Sequence, residues 1–169
     1  MEVKIPSNFN VRVESGRILA TISGEESLVV FDSKKIKVEA KGDAIEITPL
    51  RKVRRETNAM MRSVLKHLQN VFAGAANAYS KKLQVVYAHF PISVEVKGQT
   101  VNIKNFLGEK LPREADIVGK AQVAVSGQDI TVKGPSKDGV GQTAANIIQA
   151  VRITGKDRRV FQDGIYLVK

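Results

Sequence analysis

No cysteine occurs among the 169 residues. Disulfides and thiolate chemistry are therefore excluded, as are the commonest structural zinc ligands, and a reducing, cytoplasmic setting is the expectation. Tryptophan is also absent and aromatic residues make up only 5%, so two small domains of this composition would have thin cores. No apolar run approaches the roughly 20 residues of a membrane-spanning helix. The stretch from Met1 to Val11 has no apolar signal core, and no membrane partner is expected. The only histidines, His67 and His89, are far apart in the chain. Neither an HExxH pattern nor a GxSxG elbow occurs, and the carboxylates are scattered among bases instead of paired. The sequence asks for no catalytic site, metal or cofactor.

What is present is positive charge. Lysine and arginine number 27 against 17 acidic residues, a net charge of +10. Such an excess suits a polyanionic partner, because each phosphate neutralised releases condensed counterions. At 43% hydrophobic and 26% charged, the chain has enough apolar residues to build a core.

The apolar residues also read as two copies of one plan. Ile5-Pro6 is followed by alternation through Val11 and Val13, a turn at Ser15-Gly16, then Ile18, Ala20 and Ile22. Phe90-Pro91 is followed by Val94 and Val96, a turn at Gly98, then Val101 and Ile103. A period of two around a glycine turn signals a hairpin. A second hairpin pairs Ile36, Val38, Gly42-Asp43, Ile45, Ile47 and Pro49 with Val123, Val125, Gly127-Gln128, Ile130, Val132 and Pro135. One helix follows each. The first carries the stripe Met61, Val64, Leu65, Leu68, Val71 and Phe72, with Gly74 as its stop. The second carries Ala144, Ile147, Ile148 and Val151, with Gly155 as its stop. Final strands, Leu83 to Tyr87 and Gly164 to Val168, are expected to close the two copies. The expected fold class is α+β: two tandem duplicated domains, residues 1–82 and 83–169, each an antiparallel sheet packed with one helix.

One loop invites a nucleotide-site reading. In Gly134-Pro135-Ser136-Lys137-Asp138-Gly139-Val140-Gly141-Gln142-Thr143-Ala144, the residues Gly139, Gly141 and Ala144 satisfy a loose GxGxxA pattern, and Asp163 stands where a ribose-binding acid would. The preceding strand alternates, however, whereas a central parallel strand is nearly all apolar, and the βαβ unit is missing. A P-loop is excluded because Val140 and Gly141 occupy the Lys and Ser/Thr positions. The loop still offers small residues and a helix N-terminus to a phosphate. It reads equally as a capping loop. After the second helix, Arg152, Lys156, Arg158 and Arg159 form a dense basic group whose guanidinium forks suit phosphate. A further run, Arg51-Lys52-Val53-Arg54-Arg55, precedes the first helix and continues through Arg62 and Lys66. It reads as an RNA-facing patch or a solvated face.

Three segments carry a family resemblance: Val86-Tyr87-Ala88-His89-Phe90-Pro91-Ile92, Val101-Asn102-Ile103-Lys104-Asn105-Phe106-Leu107-Gly108-Glu109-Lys110, and Lys156-Asp157-Arg158-Arg159-Val160-Phe161-Gln162-Asp163-Gly164-Ile165-Tyr166. They resemble the L-six family of large-subunit ribosomal proteins in its archaeal form. The resemblance is sharpest over residues 86–166, and the N-terminal half matches mainly in layout. It implies a structural constituent of the large ribosomal subunit that binds large-subunit rRNA near the stalk base, where translational GTPases dock. The implied partners are that rRNA, neighbouring ribosomal proteins of the stalk base, and translational GTPases nearby. The implied rRNA-binding residues lie in the C-terminal repeat: Ser136, Lys137, Gly139, Gly141, Gln142 and Thr143 in the loop, with Lys156, Arg158 and Arg159 in the tail; the charge pattern adds Arg152 to them. The residues alone leave two other readings open, a non-ribosomal nucleic-acid-binding module and a small nucleotide-dependent enzyme.

Overall fold

A computed structural model describes residues 1–6, 9–14, 16–22, 25–42 and 44–168. Ser15 and Asp43, each half of an expected turn, lie outside the described residues. The chain divides into two compact units, Met1–Asn77 and Ala78–Lys169.

The first unit runs β1 (Glu2–Lys4), β2 (Asn10–Glu14), β3 (Arg17–Ile22), β4 (Glu25–Val30), β5 (Ile36–Lys41), β6 (Ala44–Pro49) and α1 (Arg55–Ala76). These strands form two antiparallel sheets, β2-β3-β4 and β1-β6-β5. The alternating residues turn Ile18, Ile36, Ile45 and Ile47 inward, where they are fully buried. Helix α1 adds Met61, Val64, Leu68 and Phe72 from its apolar stripe. The ring of Phe9 meets that of Phe72 edge-on at 4.8 Å. Burying one such side chain stabilises the unit by about 1.5–3 kcal/mol. Gly74 is not the expected stop: it is buried inside the helix, which ends at Ala76 where Asn77 turns extended.

The second unit runs β7 (Tyr79–Val86), β8 (Ser93–Lys97), β9 (Thr100–Lys104), a single 3-10 turn (Phe106–Gly108), β10 (Arg113–Asp116), β11 (Gln122–Ser126), β12 (Asp129–Gly134), α2 (Lys137–Ala150) and β13 (Gly164–Val168). Its sheets are β8-β9-β10 and β11-β12-β7-β13, again antiparallel throughout. Leu83, Ile103, Ile130, Val132 and Ile147 are fully buried in the core between them and α2.

The α+β duplication is therefore present, with two sheets per unit. The order β5-β6-β1 recurs as β11-β12-β7, and β2-β3-β4 recurs as β8-β9-β10. The strand containing Leu83 does not close the first unit, as the sequence suggested. It opens the second, as the counterpart of β1, hydrogen-bonded to β12 on one side and β13 on the other. This is why the chain divides at Asn77, five residues before the expected boundary. Strand β13 has no counterpart among the described residues of the first unit. It runs parallel to β12 but is separated from it by β7, so the crossover through α2 is split and does not make the adjacent parallel pair of a dinucleotide fold. No described helix is long and apolar enough to cross a membrane.

Candidate nucleic-acid interface

At the start of α2, Ser136 is an N-cap with extended backbone. Its Oγ accepts a 3.2 Å hydrogen bond from the Gly139 N–H, and its carbonyl accepts the first helical bond from Val140. Such a cap contributes about 1 kcal/mol to the helix. Gly139 is buried here by necessity. A Cβ on it would lie 3.2 Å from the Val118 carbonyl oxygen. Neither Gly139 nor Gly141 has the positive φ that a tight phosphate-wrapping turn would require. A Cβ on Gly141 would meet only Lys81 Nζ, at 3.7 Å.

Lys81 was not singled out by the sequence. It sits on β7, on the face shared with buried Leu83 and Val85, and so delivers an ammonium to the first turns of α2. Only the strand pairing brings the two together. Thr143 must be corrected as a contact residue. It is fully buried, and its hydroxyl accepts a hydrogen bond from the Val118 N–H at 3.0 Å, so it positions the loop. Lys137 and Gln142 are exposed, Gln142 donating to Asn146 at 2.9 Å.

The basic tail lies elsewhere. Helix α2 has 14 residues, which at 1.5 Å each separates its ends by roughly 21 Å. The glycine loop opens the helix and Arg152 to Arg159 follow its end, so the two halves of the expected site form separate patches. Gly155, at φ +74°, turns the tail and does not stop the helix, which ends at Ala150.

In the tail, Arg152, Lys156, Arg158 and Arg159 are all exposed. Lys156 Nζ stands 4.8 Å from the Phe161 ring centroid, and an Arg158 Nη donates to the Ile153 carbonyl at 3.4 Å. Asp157 accepts from the Arg159 backbone N–H at 2.9 Å. None of the four cations is ion-paired to a carboxylate among the described residues. Beside them is a concavity of about 260 Å³ lined by the end of α2, the tail and the start of β13.

In the first unit, a basic concavity of about 510 Å³ gathers Lys34, Lys35, Arg51, Lys52 and Arg54 around Glu56 and Thr57. The sequence marked the Arg51 run. The turn between β4 and β5 adds Lys34 and Lys35. Lys35 bonds Glu56 at 2.5 Å, which holds the Glu56 carboxyl below its ordinary range and raises the lysine. Both groups are solvated, so this pair is worth little and leaves the other cations unneutralised by it.

The first two segments that carried the family resemblance turn out to be largely architectural. Asn105 and Leu107 adopt left-handed backbone, at φ 59° and 52°, uncommon for side chains of this kind. Asn105 Nδ2 donates to the Pro91 carbonyl at 3.1 Å, and Phe106 is buried. Gly108, at φ +78°, lets the Phe90 ring approach to 3.3 Å from where a Cβ would be.

A family model described as Ribosomal protein L6 matches residues 90–164. The "Large ribosomal subunit protein uL6" of Methanococcus vannielii is 41% identical over 99% of this chain and 92% of its own length. That of Methanosarcina mazei is 40% identical over 99% of this chain and 94% of its own. That of Archaeoglobus fulgidus reaches 53% over 69% of this chain and 59% of its own. A relationship of this extent covers both units, including the N-terminal one that the family model does not reach. The chain therefore belongs to the uL6 family of large-ribosomal-subunit proteins, in its archaeal form, and is a structural ribosomal protein, not an enzyme.

Proposed function

We propose that the chain anchors and shapes large-subunit rRNA near the stalk base, beside the region where translational GTPases dock, and that residues 78–169 form its main anchor. The observation that carries this reading is the exposed quartet Arg152, Lys156, Arg158 and Arg159, unpaired with any described carboxylate. Four cations in an eight-residue stretch would repel one another without a polyanion. The start of α2 supplies a second contact: Lys137, Ser136, Gln142 and the small Gly141 at the surface, backed by Lys81, with Gly139 and Thr143 holding the turn in shape. Two patches roughly 21 Å apart along one helix suit phosphates of a folded RNA better than a single mononucleotide. The role is architectural, with base-independent contacts setting position. Any GTP hydrolysis belongs to the docking factor.

The test is binding of the whole chain to purified large-subunit rRNA across salt. About six phosphate contacts predict on the order of a thousandfold loss between 50 and 200 mM. Replacing Arg158 and Arg159 together by Ala should flatten the salt slope by up to about two. Affinity that does not change with salt would overturn the proposal. Crosslinking in ribosomes, with sequencing of the attached RNA, tests the stalk-base location.

A further inference from the structure

The 260 Å³ concavity beside the basic tail has a wall chemistry unlike that of a phosphate site. Ile148, Val151, Ile153 and Ile165 contribute its apolar part. Tyr166 and Phe161 supply two aromatic rings, and Arg158 a guanidinium. Gln149 and Arg152 also line it, and its one acidic group is Asp163, a carboxylate only 8% exposed. We propose that this cavity receives one unstacked nucleobase of the bound RNA, a base carrying an exocyclic amino group. The proposal rests on the rRNA-anchoring reading above and names what that site recognises.

Three arguments select a base over a phosphate. The Asp163 carboxylate offsets part of the Arg152 and Arg158 charge in the wall and, unlike a guanidinium, accepts hydrogen bonds from an amino edge, which a phosphate cannot donate. The C-terminal end of α2 lines the same cavity, and the negative end of the helix dipole disfavours phosphate there in the same way. The apolar and aromatic lining matches how proteins hold splayed RNA bases, stacked on aromatic rings or guanidinium planes. Size agrees. At about 260 Å³ the space falls below the roughly 300–1,000 Å³ of pockets that enclose whole ligands, so it suits one ring system with its sugar and phosphate outside. Those phosphates would meet Arg152, Arg158 and Lys156.

The walls are also held in place. Asp163 Oδ1 accepts the Ala88 N–H at 3.0 Å across 75 positions of chain, leaving its second oxygen for a ligand. Tyr166 donates its hydroxyl to the Gln162 carbonyl at 2.9 Å, and its ring lies 3.3–3.4 Å from where a Gly164 Cβ would project. Any residue larger than glycine at 164 would displace that ring. An Arg158 Nη reaches the Ile153 carbonyl at 3.4 Å, a long contact that leaves the guanidinium free to adjust to a ligand.

The experiment is chemical probing of deproteinised large-subunit rRNA with and without the full chain. Dimethyl sulfate reads adenine and cytosine edges, kethoxal reads guanine, and a carbodiimide reads uracil. One adenine, cytosine or guanine should be protected by the wild-type protein and exposed again with Asp163→Asn, a variant that keeps the acceptor for Ala88. Asp163→Asn should lose about tenfold in affinity, as for one charge-assisted hydrogen bond. Tyr166→Ala should lose about five- to a hundredfold by removing a stacking surface, while Tyr166→Phe keeps the ring and most of the affinity. Lys137→Ala should weaken binding without changing which base is protected. Adenosine or guanosine monophosphate in excess should not displace the RNA. Tight rRNA binding with a protection pattern indifferent to Asp163 and Tyr166 overturns the base pocket and leaves the anchoring role standing. A uracil as the only Asp163-dependent base, or displacement by a mononucleotide, also overturns it. Absence of rRNA binding by the wild-type chain overturns both.

Discussion

Arg113 grips Glu109 with two parallel hydrogen bonds, Nε to Oε2 at 2.8 Å and Nη2 to Oε1 at 2.7 Å. The same guanidinium lies 4.5 Å from the Phe106 ring centroid. Its remaining amino group donates to the carbonyls of Ala150, at 2.9 Å, and Arg152, at 3.3 Å. One side chain from β10 thus joins the 3-10 turn to the end of α2, satisfying carbonyls that a helix terminus leaves without partners. Arg113→Ala should destabilise the second unit by about 2–3 kcal/mol, or about 10 °C or more in melting temperature. Arg113→Lys should recover little, because an ammonium cannot make the fork. Thermal melts of the three proteins decide it, and an unchanged Arg113→Ala melt would mean the clamp is ornamental.

The clamp has a pH signature. Hydrogen bonding from Arg113 holds the Glu109 carboxyl below its ordinary 4.5, against a smaller opposing effect of burial. A carboxyl lowered in the folded state contributes stability above its unfolded value, and that contribution disappears as pH falls through the lowered value. Glu109→Gln should therefore cost stability at pH 7. The cost should be about 0.5–1 kcal/mol, the scale of a solvated pair, since the Glu109 side chain is 41% exposed. The difference from wild type should shrink below pH 4.5. Urea melts at neutral and acid pH measure it. An equal gap at both would show that the carboxylate charge contributes nothing.

Sequence and structure part company at identifiable places. Strands β2, β3, β5, β6, β8, β9, β11 and β12 were legible because the period of two survives in Val, Ile and Ala, although in β2, β8 and β11 that face is at most half-buried. The α1 stripe was legible for the same reason at period 3.6. The strand around Leu83 was placed in the wrong copy because its partners, β12 and β13, are remote in sequence and local pattern carries no pairing information. The glycine loop and the basic tail looked adjacent because the residues between them are few, but a helix converts those residues into length. Thr143 looked like a phosphate contact by composition, whereas its phase on α2 turns it inward beside Ala144 and Ile147. The end of α2 was missed by five residues because its carbonyls are satisfied by Arg113, 37 positions earlier.

The two glycines of the loop should behave differently. Gly139→Ala pushes a methyl to 3.2 Å from the Val118 carbonyl oxygen, in a turn already fixed by Ser136 and Thr143, and should destabilise by about 1–3 kcal/mol. Gly141→Ala meets only the flexible end of Lys81 and should raise stability by up to about 1 kcal/mol, the helix-propensity difference. If a phosphate approaches the helix there, Gly141→Val should weaken rRNA binding while the protein stays folded. Wild-type binding by a folded Gly141→Val would reduce the loop to a cap.

Where the chain is cut should matter more than its length. A fragment of residues 78–169 keeps all of β7 and should fold and bind rRNA nearly as well as the whole chain. Residues 1–77 should bind weakly. Starting at residue 83 instead removes the pairings of Tyr79, Ser80, Lys81 and Lys82 with Gly134, Lys133, Val132 and Thr131. That fragment should be largely unfolded by circular dichroism. Equal stability of the two would contradict the central place of β7, and a tighter-binding N-terminal fragment would move the anchor to the other unit.

Strand β13, which has no counterpart among the described residues of the first unit, changes what the basic segment is. Residues 151–163 look like the start of a C-terminal extension, yet they are tethered at one end by α2 and at the other by a strand bonded along β7. A free tail bearing four cations would lose its conformational freedom on meeting RNA, at about 1–2 kcal/mol for each backbone unit fixed. A segment stitched down at both ends has surrendered most of that freedom when the unit folds. If the arginines contact RNA as proposed, they do so from a backbone already ordered, and that part of the entropic penalty falls on folding instead of assembly.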